Sequence, residues 1–421
     1  MAARMSGYRT VEEQLGDVLA AVHPLPVETR AVADARGMTL RETARAAVDI
    51  PVFDNSAMDG FAVRHADVAD ASADHPVTLR VVADIPAGSD ADPVLAPGEA
   101  ARIMTGSPVP TDADAIVPFE DTVGGLADSL QQTTVLQSPR PAAHIRRAGE
   151  DLRAGDPVLG PGTLLGPLQL GAMAAAGVTD VVVSRRPRVA IVSTGSELVE
   201  AGAPLRRGQI PESNSLLLAA MAEAAGAEVD GRTSVDDEGG ALRDVVDACA
   251  AASVDVIVFS GGVSAGAFEV VRNELSATMT FSRVGLQPGK PQGFGVLPVA
   301  GGHSALLFGL PGNPVSAAIS FEVFVRPALL ALQGRTAIHR PVLRLPASTA
   351  WRTPPGRRQY LPAVVDTDPA WSVRPATAGG SGSHLAGGLG QARAVAIVPA
   401  EVDAVAVGDE VDVWLLEGWD A

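Results

Sequence analysis

The segment Val189-Ala190-Ile191-Val192-Ser193-Thr194-Gly195, residues 189–195, is a short apolar run that ends in small polar residues. This pattern is typical of a buried strand that leads into a turn. An Ala/Leu-rich stretch then begins at Ser213-Asn214 and predicts a helix to about Ala225. The alternation continues with predicted helices at 241–252, 268–275 and 314–332 and predicted strands at 255–260 and 305–310. Strands that alternate with helices predict a doubly wound, mostly parallel sheet, and we assign this middle domain to residues 179–332.

The flanking regions predict three further units, so the expected fold class is multidomain α/β. Thr10-Val11-Glu12-Glu13 has the capping-box pattern and predicts a helix to about Ala21, and a second helix is predicted at 164–176. These two helices would form a discontinuous helical connecting domain, residues 1–50 plus 141–178. Short apolar runs between Gly, Pro and Asp predict a β-rich insert domain at 51–140. Similar runs predict a C-terminal β-barrel-like domain at 333–421.

Charge and cysteine content exclude several classes of protein. The net charge of −17 repels nucleic-acid backbones and anionic lipid surfaces, so we expect neither as a partner. Cys249 is the only cysteine, which excludes an intrachain disulfide and argues against a cysteine-based zinc site. Residues 1–15 lack an apolar signal core, and no uninterrupted apolar run reaches the roughly 18 residues of a membrane-spanning helix. These features predict a cytoplasmic protein without a membrane partner.

Three strands of the middle domain lead into polar turns, at residues 193–197, 260–266 and 310–314. Ligands of an open parallel sheet bind beyond the carboxyl ends of its strands. Glycine and serine allow backbone N–H groups to approach phosphate oxygens, and a following helix N-terminus adds partial positive charge. The alternative is that these are ordinary strand-to-helix turns. Neither the Walker pattern nor Gly-x-Gly-x-x-Gly is present.

Lys290, in Gln287-Pro288-Gly289-Lys290-Pro291, is the only lysine of the chain. In an acidic molecule, an anionic substrate needs a local basic group, and a compact ammonium suits a phosphate. At an effective dielectric near 20, such a charge about 4 Å from a phosphate oxygen contributes roughly 4 kcal/mol before desolvation. The alternative is a surface lysine without a function.

Acidic residues recur close to the same turns, at Glu197, Asp237 and Glu269. Carboxylates that converge on a phosphate pocket would repel one another and the ligand unless a hard cation such as Mg²⁺ joined them. The alternative is that each is a solvated acid at the start of a helix, where Asp and Glu are favoured.

Together with polar segments of the insert, these motifs resemble those of the molybdopterin molybdenumtransferase family, which includes bacterial MoeA and the gephyrin E domain. They occur in the family's order across nearly the whole chain, which makes the set far more specific than any single motif. The matching stretches are Asp54-Asn55-Ser56-Ala57-Met58-Asp59-Gly60, Arg102-Ile103-Met104-Thr105-Gly106, Arg147-Ala148-Gly149-Glu150-Asp151, Ser193-Thr194-Gly195-Ser196-Glu197-Leu198, Ser260-Gly261-Gly262-Val263-Ser264, Pro288-Gly289-Lys290-Pro291, Leu310-Pro311-Gly312-Asn313-Pro314-Val315-Ser316 and Gly382-Ser383-His384.

The resemblance implies a four-domain, elongated homodimer with its active site between the middle domain of one subunit and the insert of the other. The family takes adenylylated molybdopterin, releases AMP and places molybdate on the dithiolene in a divalent-metal-dependent step, so Mg²⁺ is the expected cofactor. Contacts with molybdopterin adenylyltransferase and with molybdoenzymes are also implied.

By motif position, the resemblance implies three groups of site residues. Catalytic roles would fall to Asp59 and Thr105 of the insert, Asp151 of the connecting domain, and Glu197 and Asp237, which are also the candidate metal ligands. Substrate-binding roles would fall to Ser193, Thr194, Gly195, Gly261, Gly262, Ser264, Glu269, Lys290, Pro311, Asn313 and Ser383.

The sequence departs from the family pattern at two positions of this site. Glu269 stands where the family often has Asp, and Gln287 replaces a family lysine, with the nearest basic residue four positions earlier at Arg283. We therefore expect a less positive pocket.

Two other functions remain to be distinguished. A molybdopterin adenylyltransferase would carry Gly-Gly-Thr-Gly in place of residues 261–264 and would lack the insert and the β tail. A non-catalytic scaffold would lack acids such as Glu197, Asp237 and Asp59, which are present.

Overall fold

The middle of the chain forms a six-stranded sheet in a computed structural model that describes residues 7–125, 130–237, 240–264, 269–299, 302–377 and 386–416. The first four strands of the sheet are parallel and the last two are antiparallel, which confirms the predicted mostly parallel sheet. In spatial order the strands are Glu228–Val235, Arg188–Thr194, Val256–Ser260, Ser304–Leu310, Pro291–Pro298 and Met279–Arg283.

The register of the parallel strands aligns their carboxyl ends. Ser193 pairs with Ser260, and Ser260 pairs with Leu310. Each of these strands therefore reaches the same edge of the sheet before its turn begins. The predicted turns at 193–197, 260–266 and 310–314 start side by side for this reason.

Helices cover both faces of this sheet, as predicted. Adjacent residues of a strand face opposite sides, so Leu307 and Phe308 belong to separate buried clusters. Full burial of such side chains stabilises the fold by roughly 1.5–3 kcal/mol each. The helices are Asn214–Ala224, Ala241–Ala251, Val270–Leu275, Pro314–Ser320 and Arg326–Leu332.

The long helix predicted at 314–332 is interrupted by a π-helical turn, Phe321–Val325. Pro327 follows this turn, and because proline has no N–H it cannot bond the carbonyl four residues earlier. Within the described residues, Pro314–Leu332 is the one helix long and apolar enough to cross a membrane, with a mean hydropathy of 1.7. It contains Glu322 and Arg326, and 83% of the window is buried inside the protein. It is the core helix of the middle domain.

The connecting region is not mainly helical, so that prediction is wrong. Its strands pair as Val27–Ala31 with Asp180–Ser184 and as Ala44–Arg45 with Pro157–Leu159. One helix, Pro167–Ala175, and a short 3₁₀ turn, Val32–Asp34, complete its core.

The first helix packs on the middle domain and not in the connecting region. Val11–Ala20 begins at Thr10 with the predicted capping box, in which the Thr10 hydroxyl accepts from the Glu13 N–H and Glu13 accepts from the Thr10 N–H. Its buried face, including the fully buried Val18, contacts the core helix of the middle domain. The two predicted helices thus belong to different buried clusters, so the prediction that they form one helical domain is wrong.

The insert is β-rich, as predicted. Its five-stranded sheet has the order Ala115–Pro118, Gly60–Val63, Glu99–Ile103, Val77–Ile85 and Gln132–Val135. A separate pair, Asn55–Ser56 with Ile145–Arg146, joins the two ends of the insert. A short helix, His65–Val68, and a 3₁₀ turn, Phe119–Asp121, complete it.

The C-terminal domain is also built from strands. Arg358–Asp366 lies between Ser372–Pro375 and Ala394–Val398, and Glu410–Leu415 and Val342–Pro346 follow in order. A bridge between Ala347 and Val373 links the two edges, so the sheet curls back on itself as the barrel-like prediction expects. Trp351–Arg352 pairs with Ala404–Val405, and Ala386–Gln391 is a 3₁₀ segment. Leu286–Gln287 of the middle domain joins this sheet beside Arg358 and Gln359.

Candidate active site

A cavity of about 610 Å³ opens at the carboxyl edge of the middle sheet. The three predicted turns and the segment that carries Lys290 all line it, although the lining residues extend from Thr194 to Ser316 in the chain. The predicted site residues that line it are Thr194, Gly195, Glu197, Asp237, Gly261, Gly262, Ser264, Glu269, Lys290, Pro311 and Asn313.

Glycine is required where two of the turns approach each other. Gly261 and Gly262 have φ values of +96° and +64°, a region that residues other than glycine rarely adopt. A Cβ atom on Gly261 would lie 2.6 Å from the carbonyl oxygen of Thr194. The second turn therefore presents bare backbone to the cavity, which is the arrangement that suits an anionic ligand.

Asn214 connects the second and third turns and was missed as a site residue by the sequence analysis. Its Nδ2 donates to Ser260 Oγ over 2.7 Å and to the carbonyl oxygen of Gly312 over 2.6 Å. Asn214 Oδ1 and Thr194 Oγ1 are buried and have no hydrogen-bond partner among the described residues. Both residues line the cavity, and a buried unpaired polar group costs about 1–3 kcal/mol. The signal in the sequence is a polar residue before a helix, but the pattern Ser213-Asn214 by itself predicts only the start of that helix.

Ser196 orders the acidic side of the cavity through hydrogen bonds with Asp237. Asp237 Oδ2 accepts from the Ser196 N–H over 3.0 Å and from Ser196 Oγ over 3.3 Å. The Asp237 N–H donates back to Ser196 Oγ. These reciprocal hydrogen bonds hold Asp237 against Ser196, the residue before the exposed Glu197, and both acids line the cavity.

Glu269 and Ser193 serve local structure in addition to any contact with a ligand. Glu269 Oε2 accepts from the Ser264 N–H over 2.7 Å and so supports the end of the second turn. Ser193 is 1% exposed, and its hydroxyl donates to Glu212 behind the cavity. Ser193 is not among the residues that line the cavity.

Lys290 supplies the one basic side chain among the described residues that line the cavity. Gln287 also lines it, at the position of the family lysine, whereas Arg283 does not. The Gln292 Nε2 donates to the carbonyl oxygen of Gly289 over 2.6 Å and so holds the turn before Lys290. Lys290 is therefore the only positive side-chain charge on the described lining, and a less positive pocket than in the relatives stays a prediction.

Asp59, Thr105 and Asp151, which lie outside the middle domain, do not line this cavity. Thr105 donates to Asp59 Oδ1 through its N–H over 2.7 Å and through its hydroxyl over 2.8 Å. These two bonds, led by the backbone N–H, hold the pKa of Asp59 below its usual range. Asp151 is exposed in the connecting region. Ser383 lies outside the described residues.

Arg147 and Ala148 of the connecting region are bound to the insert through Asp54. The Arg147 guanidinium forms an ion pair with Asp54, and the Ala148 N–H donates to it over 2.7 Å. These hydrogen bonds, led by that from Ala148, hold the pKa of Asp54 below its usual range. Two of the family-like motifs thus meet in one hydrogen-bonded cluster.

Three family models match the chain in the order of its domains. The MoeA N-terminal region (domain I and II) matches residues 9–177, a "Probable molybdopterin binding domain" matches 190–331, and the MoeA C-terminal region (domain IV) matches 344–416. The fold and the cavity thus define a protein of the MoeA type, in which other domains flank a molybdopterin-binding domain.

The relatives agree with this class over nearly the whole chain. The sequence is 40% identical to molybdopterin molybdenumtransferase 2 of Mycobacterium tuberculosis, over 96% of this chain and 99% of that one. It is 35% identical to molybdopterin molybdenumtransferase 1 of the same organism, over 97% and 99%. A crystal structure of a molybdopterin biosynthesis MoeA protein from Pyrococcus horikoshii matches with a TM-score of 0.77 and 28% identity, over 98% of this chain and all of that one. The chain belongs to the molybdopterin molybdenumtransferase family and is an enzyme of molybdenum cofactor biosynthesis.

Proposed function

We propose that the cavity binds adenylylated molybdopterin and that the enzyme inserts molybdate into it with release of AMP. One observation carries this proposal: the glycine turns, the only lysine and the acids Glu197 and Asp237 all line one cavity. Its volume of about 610 Å³ lies within the range of about 300–1,000 Å³ that is usual for small-molecule sites.

The ligand in this proposal carries phosphate groups, which the net charge of −17 would repel. Lys290 and the backbone N–H groups of Gly262 and Val263 would offset that repulsion locally, because the N–H groups of Gly261 and Ser264 already donate to Leu310 and Glu269. Thr194 and Asn214 also line the cavity, and each has a buried side-chain oxygen without a hydrogen-bond partner among the described residues. Binding and orientation of the substrate are thus the roles that these residues would have.

Mg²⁺ fits the donor set if the substrate supplies part of its coordination. The described residues contain no group of three or more His, Cys, Asp or Glu side chains placed to hold a metal. Mg²⁺ is usually bound through one or two carboxylates together with water and substrate phosphates. Glu197 and Asp237 would hold it in this way, and when bound it would neutralise charge on the phosphates and on the two carboxylates.

The remaining candidate residues would act on the cavity of a second copy. Asp59, Thr105 and Asp151 lie outside the lining of their own cavity, so we propose that they reach the active site across a homodimer interface. There, Asp59 and Thr105 would orient molybdate or water. Ser383 of the C-terminal domain would complete the substrate contacts, in a cytoplasmic enzyme that meets molybdopterin adenylyltransferase and molybdoenzymes.

The test is an assay of the purified protein with adenylylated molybdopterin, molybdate and Mg²⁺, in which AMP and active cofactor are measured. We expect both products, and we expect Glu197→Gln or Asp237→Asn to lower the rate about 100-fold, as loss of one electrostatic group in an active site does. Glu200→Gln is the matched control, because Glu200 is exposed three residues away and does not line the cavity. In a parallel assay with molybdopterin and ATP, consumption of ATP would indicate an adenylyltransferase. In the first assay, binding without turnover would indicate a scaffold. Either result contradicts the proposal.

A further inference from the structure

The segment before the first helix reaches the loop that carries Lys290. The Arg9 N–H donates to the carbonyl oxygen of Arg283 over 2.8 Å, and the Gly285 N–H donates to the carbonyl oxygen of Arg9 over 2.9 Å. These paired bonds bring Tyr8 next to the active-site loop, although almost 280 residues separate the two segments in sequence.

The ring of Tyr8 lies against the ammonium group of Lys290. The Lys290 Nζ atom is 5.4 Å from the ring centroid, within the distance of about 6 Å at which a cation is attracted to an aromatic face. Among the described residues, no carboxylate forms an ion pair with Lys290. Tyr8 itself does not line the cavity, whereas Lys290 does, so we expect Tyr8 to affect a ligand through Lys290.

The backbone around Lys290 is already held by other contacts. The Val284 N–H donates to the carbonyl oxygen of Lys290 over 2.8 Å, and Leu286–Gln287 pairs with a strand of the C-terminal domain. These contacts do not constrain the flexible four-carbon side chain of Lys290. A carboxylate could order it, but would also neutralise its charge and compete with an anionic ligand. An aromatic ring orders the ammonium and leaves its full charge available.

We propose that Tyr8 is a positioning residue, whose ring holds the Lys290 ammonium over the cavity before an anionic ligand binds. This inference rests on the proposed role of Lys290 as a contact for the substrate phosphate. It adds the segment before the first helix to the parts of the chain that form the active site.

The first experiment compares Tyr8→Leu with Tyr8→Phe in the full-length enzyme. Leucine removes the ring and keeps an apolar side chain, whereas phenylalanine keeps the ring and removes only the hydroxyl. We expect Tyr8→Leu to raise KM for adenylylated molybdopterin about three- to fivefold, the effect of an exposed cation–π contact, with kcat within about twofold. Tyr8→Phe is expected to match the unsubstituted enzyme. Equal effects of the two substitutions would overturn the proposal.

A double-mutant cycle asks whether Tyr8 acts through Lys290. In a Lys290→Ala background, which is itself expected to bind the substrate weakly, Tyr8→Leu is expected to have no further effect on KM. An undiminished effect of Tyr8→Leu in this background would show that the residue acts by another route and would contradict the proposal. If Lys290→Ala alone leaves KM unchanged, the proposed role of Lys290 fails.

The geometry can be tested without any substrate, because the chain has one lysine. Protein labelled with ¹³C at lysine Cε should give one signal, and its attached protons should be shifted upfield by the Tyr8 ring current. We expect Tyr8→Leu to abolish that shift and Tyr8→Phe to keep it. An unchanged lysine signal in Tyr8→Leu would contradict the inference independently of the substrate assay. A correct ring-current shift combined with an inactive assay would contradict the proposed function and leave the contact itself established.

Discussion

At the turn after the strand Val256–Ser260, Gly261 combines a φ of +96° with a close approach to the carbonyl oxygen of Thr194. The two constraints are separable in this chain. Gly202 has a similar φ of +93°, and a Cβ atom placed on it would meet nothing within 4 Å. At Gly261 both the backbone conformation and the lack of space exclude a side chain. At Gly202 only the backbone conformation does.

We predict that Gly202→Ala lowers the free energy of unfolding by about 1–2 kcal/mol, the cost of a left-handed backbone for alanine. Gly261→Ala should cost more than about 3 kcal/mol and weaken substrate binding, because the methyl group must displace the backbone of the neighbouring turn. Urea unfolding of both variants measures the difference. Equal destabilisation of the two variants would mean that the turn at Gly261 accommodates the methyl group without an additional loss of stability.

Asp59 and Thr105 form a second residue-scale feature. Folding lowers the pKa of Asp59, so the ionised form favours the folded state at pH values above its unfolded pKa, near 3.9. That contribution is lost as the pH falls through the lower folded value. At neutral pH this side chain is therefore a carboxylate.

We predict that Thr105→Val raises the pKa of Asp59 only part of the way to its usual value. Valine keeps the backbone N–H, which has the larger effect on this pKa, and removes the hydroxyl. Carboxyl ¹³C titration by NMR measures the change. Asp92 and Thr111 provide a matched pair, since Thr111 also donates through both its N–H and its hydroxyl. Thr111→Val should leave the pKa of Asp59 unaltered; a shift there would indicate a global effect.

At the scale of elements, the core helix is joined to the C-terminal domain through its π-helical turn. Glu322 in this turn has a side chain that is 8% exposed and accepts from Arg340 over 2.8 and 3.2 Å. Arg340 also donates to the carbonyl oxygen of Leu415 over 3.0 Å. The ion pair therefore connects the helix, the segment after it and the last described strand.

We predict that Arg340→Leu lowers the free energy of unfolding by about 3 kcal/mol, because it leaves the buried Glu322 without its nearest partner. Arg344→Leu is the control, since Arg344 pairs with Asp412 in an exposed position and should change stability by no more than about 0.5 kcal/mol. Guanidinium unfolding compares the two variants. Similar stabilities would show that Glu322 is held by its other contacts.

At the scale of the whole molecule, the candidate active site is distributed over separate parts of the chain. The cavity belongs to the middle domain, whereas Asp59, Thr105 and Asp151 are carried by the insert and the connecting region and do not line it. If each active site combines the middle domain of one subunit with the insert of the other, a subunit with a damaged middle domain and a subunit with a damaged insert should together form one intact site.

We predict that Asp59→Asn and Glu197→Gln each lower the activity about 100-fold alone and that their co-expression restores up to about a quarter of the activity. Random pairing makes half of the dimers mixed, and each mixed dimer has one intact site. Separately tagged subunits and the AMP assay measure the recovery. Co-expression of Asp59→Asn with Thr105→Val, which damage the same side, should restore nothing. Failure of the first pair in isolated mixed dimers would place the whole site within one subunit.

Local patterns determined much of the fold. The strands of the middle domain, the helices after them and the capping box of the first helix follow from apolar periodicity and from polar groups close in sequence. The alignment of three turns at one edge followed as well, since parallel strands present their carboxyl ends together. These features depend on neighbours in the chain, so the sequence encodes them directly.

Tertiary structure decided which of these elements meet. The first helix packs on the core helix, Leu286–Gln287 joins the C-terminal sheet, Asn214 bridges two turns, and Tyr8 lies against Lys290. Each contact joins residues distant in sequence, and its free energy depends on shape and burial that exist only after the chain has collapsed. A residue pattern states that a helix has an apolar face, but packing alone selects the surface that this face covers.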